Sequence, residues 1–143
     1  MIVREWSSFV PVTKTLLISV AQYSYHAYPN EFCGILSSSP GGIVSNVYPV
    51  QNVATHPPTG FKMKPEDMLN QFTLIVERHE TFVGVIHSHP LTPPIASNED
   101  ILGLQGIKSG SLYVIYSVLH NEFGFYQLIG TSLISKQFEI IDI

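Results

Sequence analysis

Residues 83–104, VGVIHSHPLTPPIASNEDILGL, restrict the fold more than any other stretch of this chain. The apolar run Phe82-Val83-Gly84-Val85-Ile86 is β-branched and aromatic, which predicts a buried strand. Side chains two apart on a strand share a face. His87 and His89 therefore project side by side from the strand end, and Ser88 points the other way. Pro90 removes a backbone donor and ends the ladder. Pro93 and Pro94 exclude helix interior from residues 91–96 and give that loop a fixed shape. A helix starts at Ser97, a good N-cap, and runs to about Gly106. Glu99 and Asp100 suit the positive end of its dipole, and Ile101, Leu102 and Leu104 supply its apolar face.

Two imidazoles on a strand and a carboxylate on the following helix are three candidate metal ligands: His87, His89 and Asp100. Three protein ligands with water in an open fourth position is the pattern of a catalytic zinc. Structural zinc is closed by four ligands rich in cysteine, and the single Cys33 excludes that arrangement. Taken alone, His-Ser-His is an ordinary polar exit from a strand, and Ser97-x-x-Asp100 is a capping arrangement. The two readings of Ser97 are compatible, because a cap also faces whatever lies at the helix start.

The run HSHPLTPPIASNED resembles the motif of the JAMM (MPN+) metalloprotease family, H-x-H-P-x6-S-x-x-D. That family also has an upstream glutamate before a Cys-Gly-hydrophobic-Leu run, matched here by Glu31-Phe32-Cys33-Gly34-Ile35-Leu36, with Pro29-Asn30 in front as in small prokaryotic members. Phe61-Lys62-Met63-Lys64-Pro65-Glu66-Asp67 is similar to the family's F-x-h-x-P-E-D/E segment. The resemblance covers about residues 12–130. It implies a cytidine-deaminase-like MPN fold, a curved mixed β-sheet flanked by helices. It also implies that Glu31 is the general base that takes a proton from the attacking water and delivers it to a leaving amine. Ser97 would then hydrogen-bond the oxyanion of the tetrahedral intermediate.

At 143 residues the chain reads as one domain, 1–143, large enough for a core of its own. An apolar fraction of 45% against 13% charged excludes disorder. Net charge is −4 with only seven Lys and Arg, so neither nucleic acid nor an anionic membrane has an electrostatic footprint. The longest apolar run, residues 112–119, is too short to span a bilayer. The N-terminus, with Arg4, Glu5 and Trp6, has no signal-peptide core, and one Cys makes no internal disulfide. These features predict a cytoplasmic protein.

The remaining elements follow from periodicity and turn chemistry. Ile2, Val3, Phe9 and Val10 suggest a short strand within residues 1–10. A helix over 14–27 buries Leu16, Leu17, Val20, Ala21 and Ser24. Strands are expected at 31–36 and 43–50, joined by the turn at 37–42, with a short strand at 61–63. Pro65, Glu66 and Asp67 open a helix ending near His79, with Met68, Leu69, Phe72, Ile75 and Val76 on its apolar face. Strands at 112–119, 123–129 and 132–141 complete an α/β or α+β pattern. His26 and His79 read as structural or solvated. His56, in a polar loop, reads as solvated although it could approach a substrate. Cys33, inside an apolar strand, reads as a buried small hydrophobe rather than a nucleophile. Gly34 permits a close backbone approach, and Ser88 helps orient the site from behind.

The resemblance supplies the reaction: zinc-dependent hydrolysis of the isopeptide or peptide bond after the C-terminal Gly-Gly of a ubiquitin-like or sulfur-carrier protein. Small prokaryotic members act in modifier processing, in sulfur transfer or in antiviral defence operons. The substrate tail is expected to add as a strand beside the sheet. The main alternative is a non-catalytic MPN scaffold that binds partners, although such members lose ligands that this chain keeps. A DNA-repair-associated relative would carry His-Asn-His-Pro-Ser-Gly, where this chain has Ser88 and Leu91-Thr92. A zinc deaminase needs a Pro-Cys-x-x-Cys pair that one cysteine cannot provide.

Overall fold

The strand that carries the two histidines lies at the centre of the molecule. In the computed structural model, which describes residues 6–141, it is β4 (Thr81–His89). It is paired antiparallel to β2 (Cys33–Ser38) and parallel to β5 (Leu112–Ser117). The other elements are β1 (Phe9–Thr13), α1 (Lys14–Ala27), β3 (Val44–Val50), α2 (Pro65–Glu77), α3 (Asn98–Leu102), β6 (Glu122–Ile129) and β7 (Ser132–Ile141), with a 3-10 turn, Gly103–Gly106, continuing α3. The strand order is β1-β3-β2-β4-β5-β6-β7. This is the expected α+β architecture of a curved mixed sheet with flanking helices. The curvature goes to completion: β1 runs parallel to β7 over five pairs and meets β3 at Val12↔Val44, closing a barrel.

Helix α1 begins where Thr13 Oγ1 accepts the Leu16 N–H, a side-chain N-cap. Its stripe of Leu16, Val20 and Ser24 is buried, with Leu17 and Ala21 packed beside it. It joins Leu36, Ile86, Leu112, Val114 and Tyr116 in the largest core cluster. On the other side of the sheet, α2 lays Ile75, Met68 and Phe72 against Cys33, Ile35 and Tyr48. Gly34 lies between these layers, and a Cβ there would stand 2.8 Å from the Tyr48 carbonyl oxygen.

β4 contains one irregularity that aims the histidines. Leu36 pairs with Gly84 and the adjacent Ser37 pairs with Phe82, so Val83 is an extra residue in β4. This bulge lets Val83 and Ile86, three apart, both face the α1 cluster. Val85, His87 and His89 consequently share the opposite face.

As expected, β4 carries both histidines and ends before Pro90, because Ser88 and His89 remain paired with Tyr116 and Ser117 of β5. Other expectations are corrected. β2 runs two residues past Leu36, and the turn is correspondingly shorter. Residues 61–63 form only an isolated bridge, Asn52↔Met63. Leu69 and Val76 are exposed, because buried Ile75 with partly buried Met68 and Phe72 forms the packed stripe of α2, and residues one further on lie some 100° around the helix. Ile101 and Leu102 are also exposed, at 50% and 77%. The helix is only five residues long and buries Asp100 instead, while Leu104 reaches the core from the 3-10 turn. The strand suggested by Ile2 and Val3 falls outside the described residues except for Phe9 and Val10, which belong to β1. No helix among the described residues is long and apolar enough to cross a membrane.

Candidate metal centre

Four buried side chains converge at the end of β4. His87 and His89 point from the same face of that strand. Asp100 comes from the first turn of α3, and Glu31 from the residues just before β2. One ligand atom from each lies within 4.8 Å of the others. His87 Nε2 is 3.2 Å from His89 Nε2, and Asp100 Oδ2 is 3.3 Å from the former and 3.0 Å from the latter. Glu31 Oε1 is 3.9 Å from His87 Nε2. Donor atoms at the corners of a tetrahedral zinc site lie about 3.3 Å apart, given metal–ligand bonds of roughly 2.0–2.1 Å.

Local structure holds each member. Ser97 Oγ accepts the Asp100 N–H at 3.1 Å, and Asp100 Oδ2 accepts the Ser97 N–H at 3.0 Å, a reciprocal capping box. His89 Nδ1 faces the Pro93 carbonyl at 2.8 Å, so the proline loop fixes that ring. His87 Nδ1 has no hydrogen-bond partner among the described residues. That ring is held by aromatic contacts instead, stacked on Phe61 at 4.3 Å and edge-on to Tyr113 at 5.4 Å. Ser88, facing the opposite side, accepts the Phe32 N–H at 2.8 Å and so anchors the residue after Glu31.

The donor chemistry suits a cation. With its Nδ1 proton given to Pro93, a neutral His89 presents an Nε2 lone pair to the Asp100 carboxylate. That arrangement is repulsive unless the ring is charged or a cation lies between. Burial pulls the His89 pKa down, but Asp100 and the Pro93 carbonyl outweigh it and raise it. Burial keeps His87 neutral, lowering its pKa. Burial also pushes against an ionised Asp100, yet the bonds to His87 and His89 hold its carboxyl well below the usual range. Burial lifts Glu31 to about 8 against the pull of His89, and Glu31 Oε1 is buried with no hydrogen-bond partner among the described residues. Two imidazoles, a firmly ionised carboxylate and an orphaned acceptor fit a divalent metal ion.

Cys33 pairs with His87 across the β2–β4 ladder, but burial pushes its thiol up to about 12, which makes it inert. Beside the cluster lies a cleft of about 540 Å³ lined by Ala54, His56, Phe61, Met63, Val85, Asp100, Gly103 and Tyr113, among others. His56 is exposed and lines this cleft; His26, His79 and His120 are exposed elsewhere on the chain. The contacts of Phe61, Tyr113 and Pro93 are not legible along the chain: Phe61 stands in the F-x-h-x-P-E-D/E segment, which specifies no contact, and Tyr113 is one residue of an apolar strand.

The curved mixed sheet, with a His-x-His strand end and an acidic helix start, defines the protein as one of the JAB1/MPN fold class. The chain belongs to the prokaryotic homologs of the JAB domain, whose family profile matches residues 13–128. Among solved structures it is similar to a protein of Desulfitobacterium hafniense, with a TM-score of 0.83 and 23% identity over 94% of both chains. It is also similar to a JAMM structure described as a metalloprotease-like zinc site in the proteasome and signalosome, with a TM-score of 0.55 and 16% identity over 92% of this chain and 98% of that one. Among curated proteins, the desampylase of Haloferax volcanii is 34% identical over 73 residues, 50% of this chain and 52% of that protein. The chain thus spans about half the length of the curated relatives it matches.

Proposed function

We propose that this protein is a zinc-dependent isopeptidase or peptidase of the cytoplasm. It would cut after the C-terminal Gly-Gly of a ubiquitin-like or sulfur-carrier protein. The observation that carries this reading is the convergence of His87 Nε2, His89 Nε2 and Asp100 Oδ2 within 3.0–3.3 Å of one another, with the Glu31 carboxylate beside them. Similarity to a desampylase supports a ubiquitin-like substrate.

His87, His89 and Asp100 would hold Zn²⁺, which when bound supplies Lewis acidity toward a carbonyl oxygen and acidifies water. The residues of the chain do the rest. Burial makes the Glu31 carboxylate more basic; in its ionised form it takes the proton of the attacking water and then, as the acid, gives it to the leaving amine. Ser97 keeps its hydroxyl proton free to donate, because its oxygen is used as the acceptor of the Asp100 N–H. It donates to the oxyanion. The cleft seats the tail. The extended backbone beside the cleft that the tail would pair with is the short ladder around Asn52 and Met63.

Metal analysis of wild type against Asp100→Ala tests this reading. About one zinc per chain, lost in the variant, together with cleavage of a Gly-Gly-terminated ubiquitin-like fusion, is the expected result. A wild-type chain that takes up no zinc when supplied with it overturns the hydrolase reading in favour of a partner-binding scaffold.

A further inference from the structure

Glu31 precedes Cys33, the first ladder residue of β2, and β4 bonds only the residue after it: Ser88 accepts the Phe32 N–H at 2.8 Å and donates its own N–H to the Phe32 carbonyl at 2.9 Å. The Glu31 backbone is held by the segment between β3 and α2. The Glu31 N–H donates to the Pro57 carbonyl at 2.8 Å, and the Glu31 carbonyl accepts from Asn52 Nδ2 at 3.0 Å. The same Asn52 amide nitrogen donates to the Gly60 carbonyl at 3.0 Å. Asn52 Oδ1 accepts the N–H groups of Ala54 and Lys62, both at 3.0 Å. A carboxamide offers two N–H donors and two lone pairs, and all four are used. Only one orientation of the amide is possible, since a flip would set oxygen against two carbonyls and NH₂ against two N–H groups.

We infer that Asn52 is a positioning residue: by joining the 54–62 cleft wall to the Glu31 backbone, it sets where the Glu31 carboxylate stands relative to the metal cluster. Asn52 makes no hydrogen bond to His87, His89 or Asp100; its link to a ligand is Phe61, between Gly60 and Lys62, which stacks on His87. The β4–β5 ladder keeps both histidines in place without Asn52, whereas Glu31 loses the bond to its carbonyl. The adjoining backbone pairs, Val53 N–H to Lys62 carbonyl at 2.8 Å and Lys64 N–H to Gln51 carbonyl at 3.0 Å, close the loop around the same side chain. Residues 54, 60 and 62 also line the cleft, so the wall that meets a substrate tail and the base are tied through one amide. The catalytic half of this inference rests on the reading of Glu31 as the proton acceptor; the structural half does not.

The test is a double-mutant cycle with a hydrogen-exchange arm. Asn52→Ala should retain about one zinc per chain and lower kcat by about 10–100-fold. In a Glu31→Gln background it should lower the residual kcat no further, because the group it positions is gone. An equal fold-loss in both backgrounds overturns the inference, since a general structural role would act on both. In the exchange arm, the wild-type amides of Glu31, Ala54 and Lys62 should open with one common free energy. Asn52→Ala should speed all three together. Separate wild-type opening energies, or a Glu31 amide unchanged in the variant, overturn it. If the variant does not fold, the wild-type exchange decides. If wild type shows no turnover, the proposed function fails and the exchange arm still decides the coupling.

Discussion

The β2–β4 ladder carries a polar cluster at each end, and the two are opposite in kind. At the far end, Glu80 Oε1 accepts the Ser37 hydroxyl at 2.7 Å and the Tyr48 hydroxyl at 2.6 Å, and Arg78 donates to the Tyr48 oxygen at 3.1 Å. Donors there face acceptors, and the charges offset one another. At the other end, Glu31, His87, His89 and Asp100 crowd acceptor atoms together and leave Glu31 Oε1 without a partner among the described residues. Both include buried polar side chains, Ser37 and Tyr48 at the far end, so a buried polar group alone does not mark a site. The distinguishing feature is whether the side chains satisfy one another or need a further charge.

The largest expected effect breaks the unsatisfied end. Asp100→Ala removes the anion between the two imidazoles. It should take metal content from about one ion per chain to none and peptidase activity to background, read by metal analysis and by cleavage of the Gly-Gly fusion. Glu31→Gln should keep the metal and lower kcat by about 10²–10⁴-fold; unchanged turnover would show that another group moves the proton. Ser97→Ala should lower kcat by about 10²–10³-fold, and a loss confined to KM would remove Ser97 from the oxyanion. At the satisfied end, Tyr48→Phe removes the donor to Glu80 and the acceptor of Arg78. It should cost about 1 kcal/mol of stability in denaturant unfolding, because Glu80 keeps the Ser37 hydroxyl, with metal content and kcat unchanged.

The smallest effect is a pH dependence of the chelator-treated protein. Burial raises Glu31 from 4.5 to about 8, so the stability linked to its protonated form is present in full below 4.5 and is lost as pH rises through 8. Glu31→Gln should therefore change the Tm of the metal-free protein little at pH 5 and raise it at pH 8. A Tm difference that stays flat across that range would mean that Glu31 is not buried as a neutral acid.

Much of the site is legible along the chain because its residues obey local rules. A strand places His87 and His89 on one face by its two-residue period, and Ser97-x-x-Asp100 marks a helix start whose capping box turns Asp100 inward. Glu31 is different. Its family motif names it, but nothing in a span of 56 residues states that it lies near His87; the antiparallel pair Cys33↔His87 brings it there. Asn52 has no signature at all, because an asparagine in a polar loop looks the same whether or not its amide is saturated by atoms of residues 31, 54, 60 and 62. The exposed Ile101 and Leu102 show the reverse error, where helical spacing suggested burial but a five-residue helix had no layer to pack against.

By itself, the sequence determined which side chains are candidate donors, the strand and helix that carry three of them, and the chemistry expected of such a set. Those follow from backbone periodicity, capping and ligand preference, all properties of neighbouring residues. Only the tertiary structure decided the face the histidines take, through the extra residue Val83 in β4, the closure of the sheet through β1, and the distance from Glu31 to the cluster. These depend on register between distant strands and on how loops pack, and a register change of one residue would turn every side chain to the other face.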